Sequence, residues 1–276
     1  MSAAAGERTT ELLKQLDGEV EALTDSDAWK RYLTMQARLH KYSFGNCLLI
    51  GAQCPTATHV AGYQAWRELG RQVRKGESGI RIMVPFVYRK REAAETEGGD
   101  ECETYVRFGT GHVFDIAQTD GEEIGAQWGY VEGDASAAAI GLARLETFAQ
   151  SLGYTVTHTA SDGSARGHTV FKSRSIVVTD LDVVNQAATL AHELAHVLLH
   201  ECITDYHANR SLYEVEAESV AYVVVTGLGL DASSCSLPYV ASWASRGDAK
   251  AVRALGERVH KAADTLLAAA ETEAAA

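Results

Sequence analysis

Apolar residues recur at helical intervals from the start of the chain. Leu12, Leu13, Leu16, Val20 and Leu23 form one stripe, a polar break falls at 24–27, and a second run reaches Leu39. A short helix is predicted for "AGYQAWRELGR". The period then drops to two in "GIRIMVPFVYR", with Ile80, Ile82, Val84, Phe86 and Tyr88 on one face and Arg81 and Arg89 on the other. That alternation predicts a strand with one buried face. Pro85 confines it to a sheet edge or a bulge. An acidic stretch with two glycines, 92–103, reads as an exposed loop, and "TYVRFGTGHVFDIAQT" resumes as strand.

Gly and acidic residues crowd 120–135, where a domain linker is expected. Beyond it, Ile140, Leu145, Phe148 and Leu152 make a helical stripe closed by Gly153, a C-terminal cap. "RSIVVTD" is a short apolar strand. Helices follow at about 184–200 and 211–228, and alanine-rich helices at 239–270 are expected to fray. The pattern predicts an α+β protein of two domains, 1–125 and 126–276.

Composition adds an asymmetry. The net charge is −12, yet residues 30–91 hold 12 Lys/Arg against 2 Asp/Glu, a local balance of +10. The remainder carries −22. A basic half that could bind an anion is thus joined to an acidic one. The five cysteines are scattered and form no CxxC pair, which excludes a zinc ribbon and a disulfide framework. Charges near the start interrupt any secretion signal, and no apolar run reaches the ~20 residues that span a bilayer. A reduced, cytoplasmic protein without membrane partners is the expectation.

The strongest chemistry lies in "TLAHELAHVLLH", residues 189–200. On a helix His192 and His196 are one turn apart on one face and can direct two imidazoles at one ion. Glu193, rotated by about 100°, can lie beside the ion without binding it. This is an HExxH arrangement, two ligands and a general base. Chance produces such a match in roughly 3% of chains of this composition. The helical, apolar context argues further against chance, because burying imidazoles without partners is costly. His200 is rejected as a ligand: it lies about 12 Å along the helix from His192, and no glycine breaks the helix between them. It reads as a structural or rim residue.

A third ligand should come from "YEVEAESVAY", 213–222. Glu214 and Glu218 share a face in an apolar setting, and a buried glutamate requires a cation. Either can bind the ion, the other then accepting the outer N–H of a ligating histidine. Such a set holds Zn²⁺ with a position left for water and predicts hydrolysis of a peptide bond, with Glu193 as base. Tyr206, His207 and Tyr213 are candidate donors to the developing oxyanion. In the basic half, cations interleave with rings at Lys41, Tyr63, Trp66, Arg67, Arg71, Arg74, Lys75, Arg81 and Arg89, a composition suited to single-stranded DNA or to a solvated face over core aromatics.

Two resemblances bear on these alternatives. "TLAHELAHVLLH" with "YEVEAESVAYVV" resembles the ImmA/IrrE-type metallopeptidases over about 135–235, which implies Glu214 as the third zinc ligand. "SFGNCLLIGAQCPTATHVAGYQAWRELGRQVRKGESGIRIMVP", closing with "HVFDIAQTDG", is similar to the N-terminal domain of ArdC-type antirestriction proteins over about 8–121. That resemblance implies a single-stranded-DNA-binding domain joined to a metallopeptidase-like one. The function expected is a DNA-associated zinc metallopeptidase acting on a protein substrate. The alternatives are an antirestriction factor that coats single strands and whose metal site is structural or vestigial, and a regulator whose first domain binds protein.

Overall fold

The computed structural model describes residues 3–23, 26–91, 102–122, 135–160, 166–203, 209–232 and 249–271. The chain forms two compact units, 1–19 with 48–122 and 20–47 with 123–276. The two-domain α+β organisation is as the pattern predicts. The division departs from it in one respect: residues 20–47 pack with the second unit. Their apolar positions explain why, since Trp29, Tyr32 and Leu33 are buried and the Trp29 indole donates to Ser219 Oγ at 2.9 Å.

In the first unit α1 (Ala3–Glu21) buries Leu12 and Leu16 but leaves Leu13 exposed. The "SFGNCLLIGAQC" segment, for which the pattern gave no element, forms α3 (Phe44–Gln53), its start capped by Ser43 Oγ; α2 (Ser26–Arg38), which precedes it in sequence, belongs to the second unit. Then come β1 (Val60–Gly62), α4 (Tyr63–Glu68), β2 (Arg71–Val73), β3 (Ile80–Arg91), β4 (Cys102–Asp115) and β5 (Thr119–Gly121). One sheet runs β1-β4-β3, all antiparallel, and β2 pairs with β5. β3 is an edge with unbroken register past Pro85, so the proline marks an edge and not a bulge. Gln53 extends that edge, exchanging two 2.9 Å hydrogen bonds with the Arg81 backbone. Of the expected acidic loop, 92–103, Cys102 and Glu103 belong to β4, and residues 92–101 lie outside those described.

In the second unit α5 (Ala135–Ser151) leads into β6 (Thr155–Thr159), β7 (Gly167–Val170) and β8 (Ser175–Thr179). β8 is central, with β6 parallel on one side and β7 antiparallel on the other. The buried line of α5 is Ala138, Gly141, Leu142, Leu145 and Ala149, rotated from the predicted stripe, and Ile140 is exposed. Small residues let the helices approach closely: a Cβ at Gly141 would sit 2.9 Å from Leu228. Gly153 caps α5 as predicted, with φ of 82° and the Tyr154 amide bonded back to Ala149 O at 2.9 Å.

Two long helices, α6 (Val183–His200) and α7 (Arg210–Gly227), form the core, and α8 (Ala249–Glu271) packs against them. Asp182 caps α6, its carboxylate accepting the Asn185 amide at 3.1 Å. α8 is continuous from Ala249 to Glu271. It buries Val252, Leu255, Val259, Leu266 and Leu267 on one stripe. Most of the expected linker, 123–134, and the segment 233–248 lie outside the described residues. No described helix is long and apolar enough to cross a membrane.

Candidate metal centre

Helix α6 presents His192 and His196 one turn apart, with their Nε2 atoms 3.0 Å from each other. From α7, Glu214 Oε2 approaches the same point, 3.5 Å from His192 Nε2 and 3.8 Å from His196 Nε2. The three donor atoms lie within 4.8 Å of one another. Corners of a tetrahedron around Zn²⁺ at ~2.0–2.1 Å are about 3.3 Å apart. The observed separations bracket that value, so the donor set fits a tetrahedral ion with one position free. Glu218 Oε1 lies at 3.6 Å on the opposite side of His192, facing Nδ1. Glu214 therefore sits on the ligand side of the ring and Glu218 on its outer side.

Electrostatics reinforce this geometry. Burial disfavours a charged His192, but Glu214, Glu193 and Glu218 outweigh it and raise the imidazole above its ordinary value. The two histidines hold Glu214 far below the usual carboxylate range. Burial, aided by Glu214, pushes Glu218 up. Three carboxylates around one imidazole make a site that favours a cation.

Glu193 is 6% exposed, and its Oε2 accepts from Thr169 Oγ1 at 2.7 Å. Thr169 stands on β7, which lies tight against α6. A Cβ at Gly167 would meet Thr189 Cγ2 at 2.5 Å and Glu193 Oε1 at 3.3 Å. Sequence reading missed both Gly167 and Thr169, because the contact is between a strand and a helix 24 residues apart. His200 is buried, which excludes the rim reading. Burial lowers its pKa, and its ring bonds His196 on one side and Glu216 on the other. Of the candidate oxyanion donors, Tyr213 packs its ring on His200 at 4.6 Å between centroids, while Tyr206 and His207 lie outside the described residues.

The expected DNA-binding residues differ in their surroundings. Trp66 is 1% exposed and its indole donates to Phe114 O at 2.9 Å, so it is a core residue and cannot stack on a base. Arg71 is a clamp on β5 and the turn beyond it: Nε bonds Thr119 Oγ1 at 2.8 Å, Nη2 bonds Thr119 O at 3.2 Å, and Nη1 reaches Gly121 O and Glu122 O. Arg74 is engaged by Glu77, Asp120 and Ala117 O, and Arg81 by Glu11. Lys41 belongs to the second unit, 3.8 Å from Glu271. Tyr63, Arg67 and Lys75 are exposed and ion-paired to no described residue. The side chain of Arg89 lies outside those described.

Three rings outside the expected DNA-binding set face solvent on the β3–β4 ribbon: Phe86, 43% exposed, Tyr105, 46%, and Phe108, 53%. Phe86 had been placed on the buried face of β3 by alternation. That face is buried only at its inner end, at Ile80 and Ile82, because a strand of about 40 Å outruns the core that covers it.

The N-terminal domain of anti-restriction factor ArdC matches residues 4–114, and the IrrE N-terminal-like domain matches residues 149–227. An uncharacterized Sinorhizobium fredii protein, y4eC, is 29% identical over 238 residues, covering 79% of this chain and 75% of its own. An uncharacterized Bacillus anthracis protein, pXO2-81, is 24% identical over 87% of this chain, which spans about half (48%) of that relative's length. Among solved structures, the metal-free antirestriction protein ArdC from the R388 plasmid superposes with a TM-score of 0.50 at 22% identity, covering 83% of this chain and 85% of that one. The Mn(II)-bound structure of the same protein gives 0.45 at 20% identity, covering 87% and 97%. Residues 4–114 thus match an ArdC-type N-terminal domain and residues 149–227 an IrrE-like domain, in the order that the two sets of motifs predict.

Proposed function

We propose that the second unit is a zinc metallopeptidase and that the first binds single-stranded DNA, which places a hydrolase for a protein substrate at a DNA strand. The observation that carries the peptidase reading is the convergence of His192, His196 and Glu214 with Glu193 buried beside them. Zn²⁺ held by these three donors would supply Lewis acidity, polarising a peptide carbonyl and bringing a water to a pKa of about 7.

The chain's own residues supply the rest. Glu193 takes the proton as the water oxygen bonds to the carbonyl carbon, and returns it to the amide nitrogen as the C–N bond breaks. Thr169 donates to one carboxylate oxygen of Glu193 and leaves the other to receive the proton. Among the described strands β7 pairs with β8 alone, so its other edge would offer backbone donors and acceptors to an extended peptide beside Glu193. Glu218, facing the outer nitrogen of His192, orients that ring.

The alternative of a vestigial or structural site is disfavoured by Glu193. A structural site needs only ligands, whereas this carboxylate is buried and aligned by a hydroxyl. The likeness to ArdC supports an antirestriction role connected with DNA. The protein should purify with about one zinc per chain. Glu193→Gln should keep that zinc and lose peptide hydrolysis by orders of magnitude, while His196→Ala loses the metal. Full zinc occupancy in His196→Ala would end the metal reading, and undiminished hydrolysis by Glu193→Gln would end the assignment of the base.

A further inference from the structure

A chain of buried polar contacts leads away from the candidate metal centre and takes no part in the hydrolysis. The Nε2 of His196 faces His192 and Glu214, and its Nδ1 faces the opposite way, 2.9 Å from His200 Nδ1. His200 Nε2 lies 2.8 Å from Glu216 Oε2, with both side chains buried. Arg258 on α8 grips Glu216 with Nε at 3.1 Å from Oε1 and Nη2 at 3.1 Å from Oε2. The same Nη2 lies 3.4 Å from Leu199 O at the end of α6. Tyr213 covers the His200 ring.

Proton positions follow from this order. Glu216 offers only acceptors, and Arg258 only donors. The His200 nitrogen that meets Glu216 must therefore carry a hydrogen. A neutral His200 then has only a lone pair at Nδ1, so the hydrogen in the short Nδ1···Nδ1 contact belongs to His196. With Nδ1 protonated, His196 Nε2 keeps its lone pair for an ion. The reverse arrangement, with His200 donating, would place the hydrogen of a neutral His196 on Nε2 and block ligation.

We propose that Arg258, Glu216 and His200 are positioning residues that hold His196 in its Nδ1–H form, and that α8 is through them a determinant of metal affinity. This rests on the reading of His192, His196 and Glu214 as a metal site. It also gives His200 a place without making it a ligand, and it explains why a glutamate with no partner on its own helix is buried on α7. Arg258 is the one member that reaches the surface, its side chain 43% exposed.

Imidazole nitrogen NMR of the full-length metal-free protein should show His196 as the Nδ1–H tautomer and His200 as the Nε2–H tautomer. His196 found as Nε2–H would overturn the proposal. Competition with a chromophoric chelator should show zinc affinity weakened about 10–100-fold in His200→Phe, as for other outer partners of ligating histidines. Arg258→Met, altered at the surface end of the chain, should move affinity in the same direction by less. Circular dichroism identifies which variants remain folded, and unchanged zinc affinity in folded Arg258→Met and His200→Phe would sink the coupling. If the parent protein binds no zinc while His196 is Nδ1–H, the metal reading fails and takes the affinity claim with it. The tautomer assignment is then left standing on the spectrum alone.

Discussion

Arg71 and Lys75 look interchangeable in the sequence, two cations in one basic run, yet they occupy different chemical situations. The guanidinium of Arg71 has its hydrogens committed to Thr119, Gly121 and Glu122, whereas Lys75 stands in solvent. Arg71→Ala should therefore cost about 1.5–3 kcal/mol of stability, the range for hydrogen bonds to a charged group. In urea unfolding it should shift the midpoint of the first unit. Lys75→Ala should leave that midpoint unchanged and flatten the salt dependence of single-strand binding by about 0.7, the share of one phosphate contact. Equal effects of the two substitutions in both measurements would contradict this division. The same lesson holds for Trp66 and for Asp115, whose carboxylate accepts the Thr58, His59 and Ala117 amides. Residues that carry the resemblance to ArdC hold the unit together.

At the scale of elements, close approach positions the candidate site. β7 reaches α6 because Gly167 has no side chain. Gly167→Val would drive carbons into Thr189 and the Val177 carbonyl, with a cost of about 1–3 kcal/mol for overpacking. Displacing β7 also removes Thr169 from Glu193, so kcat should fall while zinc content holds; an unchanged kcat in the folded variant would separate β7 from catalysis. The end of α8 is tied to the segment after α2 by His40, whose ring lies 3.0 Å from both Asp264 and Glu271. Burial works against a charged His40, but the two carboxylates prevail and raise it, while His40 lowers Glu271. The His40 contribution is full below about pH 6.5 and is lost as pH rises through its raised folded value. The Glu271 contribution is present above about pH 4.5 and is lost as pH falls through its lowered one. The cluster is thus strongest between those limits. Because the carboxylates are half-exposed, its worth is about 1 kcal/mol or less. The stability gap between the parent and His40→Gln should be larger at pH 5.5 than at pH 9; a gap that widens with rising pH would refute the sign.

For the whole molecule the proposed binding of a single strand has to contend with a net charge of −12. Screening over about 8–10 Å at physiological salt lets the local face decide. The exposed basic side chains are fewer than the sequence suggests, since Arg71, Arg74 and Arg81 are engaged within the unit. With two or three phosphate contacts, the slope of log affinity against log salt should be about −1.5 to −2. Stacking falls to the exposed rings. Phe86→Ala and Phe108→Ala should each weaken single-strand binding by about 1–3 kcal/mol if a base lies on that ring. Folded variants that bind single strands as tightly as the parent at low salt would remove the ribbon from the DNA reading.

Local periodicity and spacing determined much of this protein. The helices around His192 and Glu214, the strand at Ile80, the Gly153 cap and the α+β division in two all follow from patterns of two or 3.6 residues, which short-range backbone geometry imposes. The placing of His192, His196 and Glu193 on one helix likewise needs only its pitch. The tertiary structure decided what depends on contacts distant in sequence. It placed Glu214 on the ligand side of His192 and Glu218 on the outer side, and it brought Thr169 to Glu193 and Arg258 to Glu216. It turned Trp66 and Arg71 inward and Phe86 outward, and it gave residues 20–47 to the second unit. Composition could not reveal these, because a side chain's exposure and partners are set by which surface packs over it, and that surface comes from elsewhere in the chain.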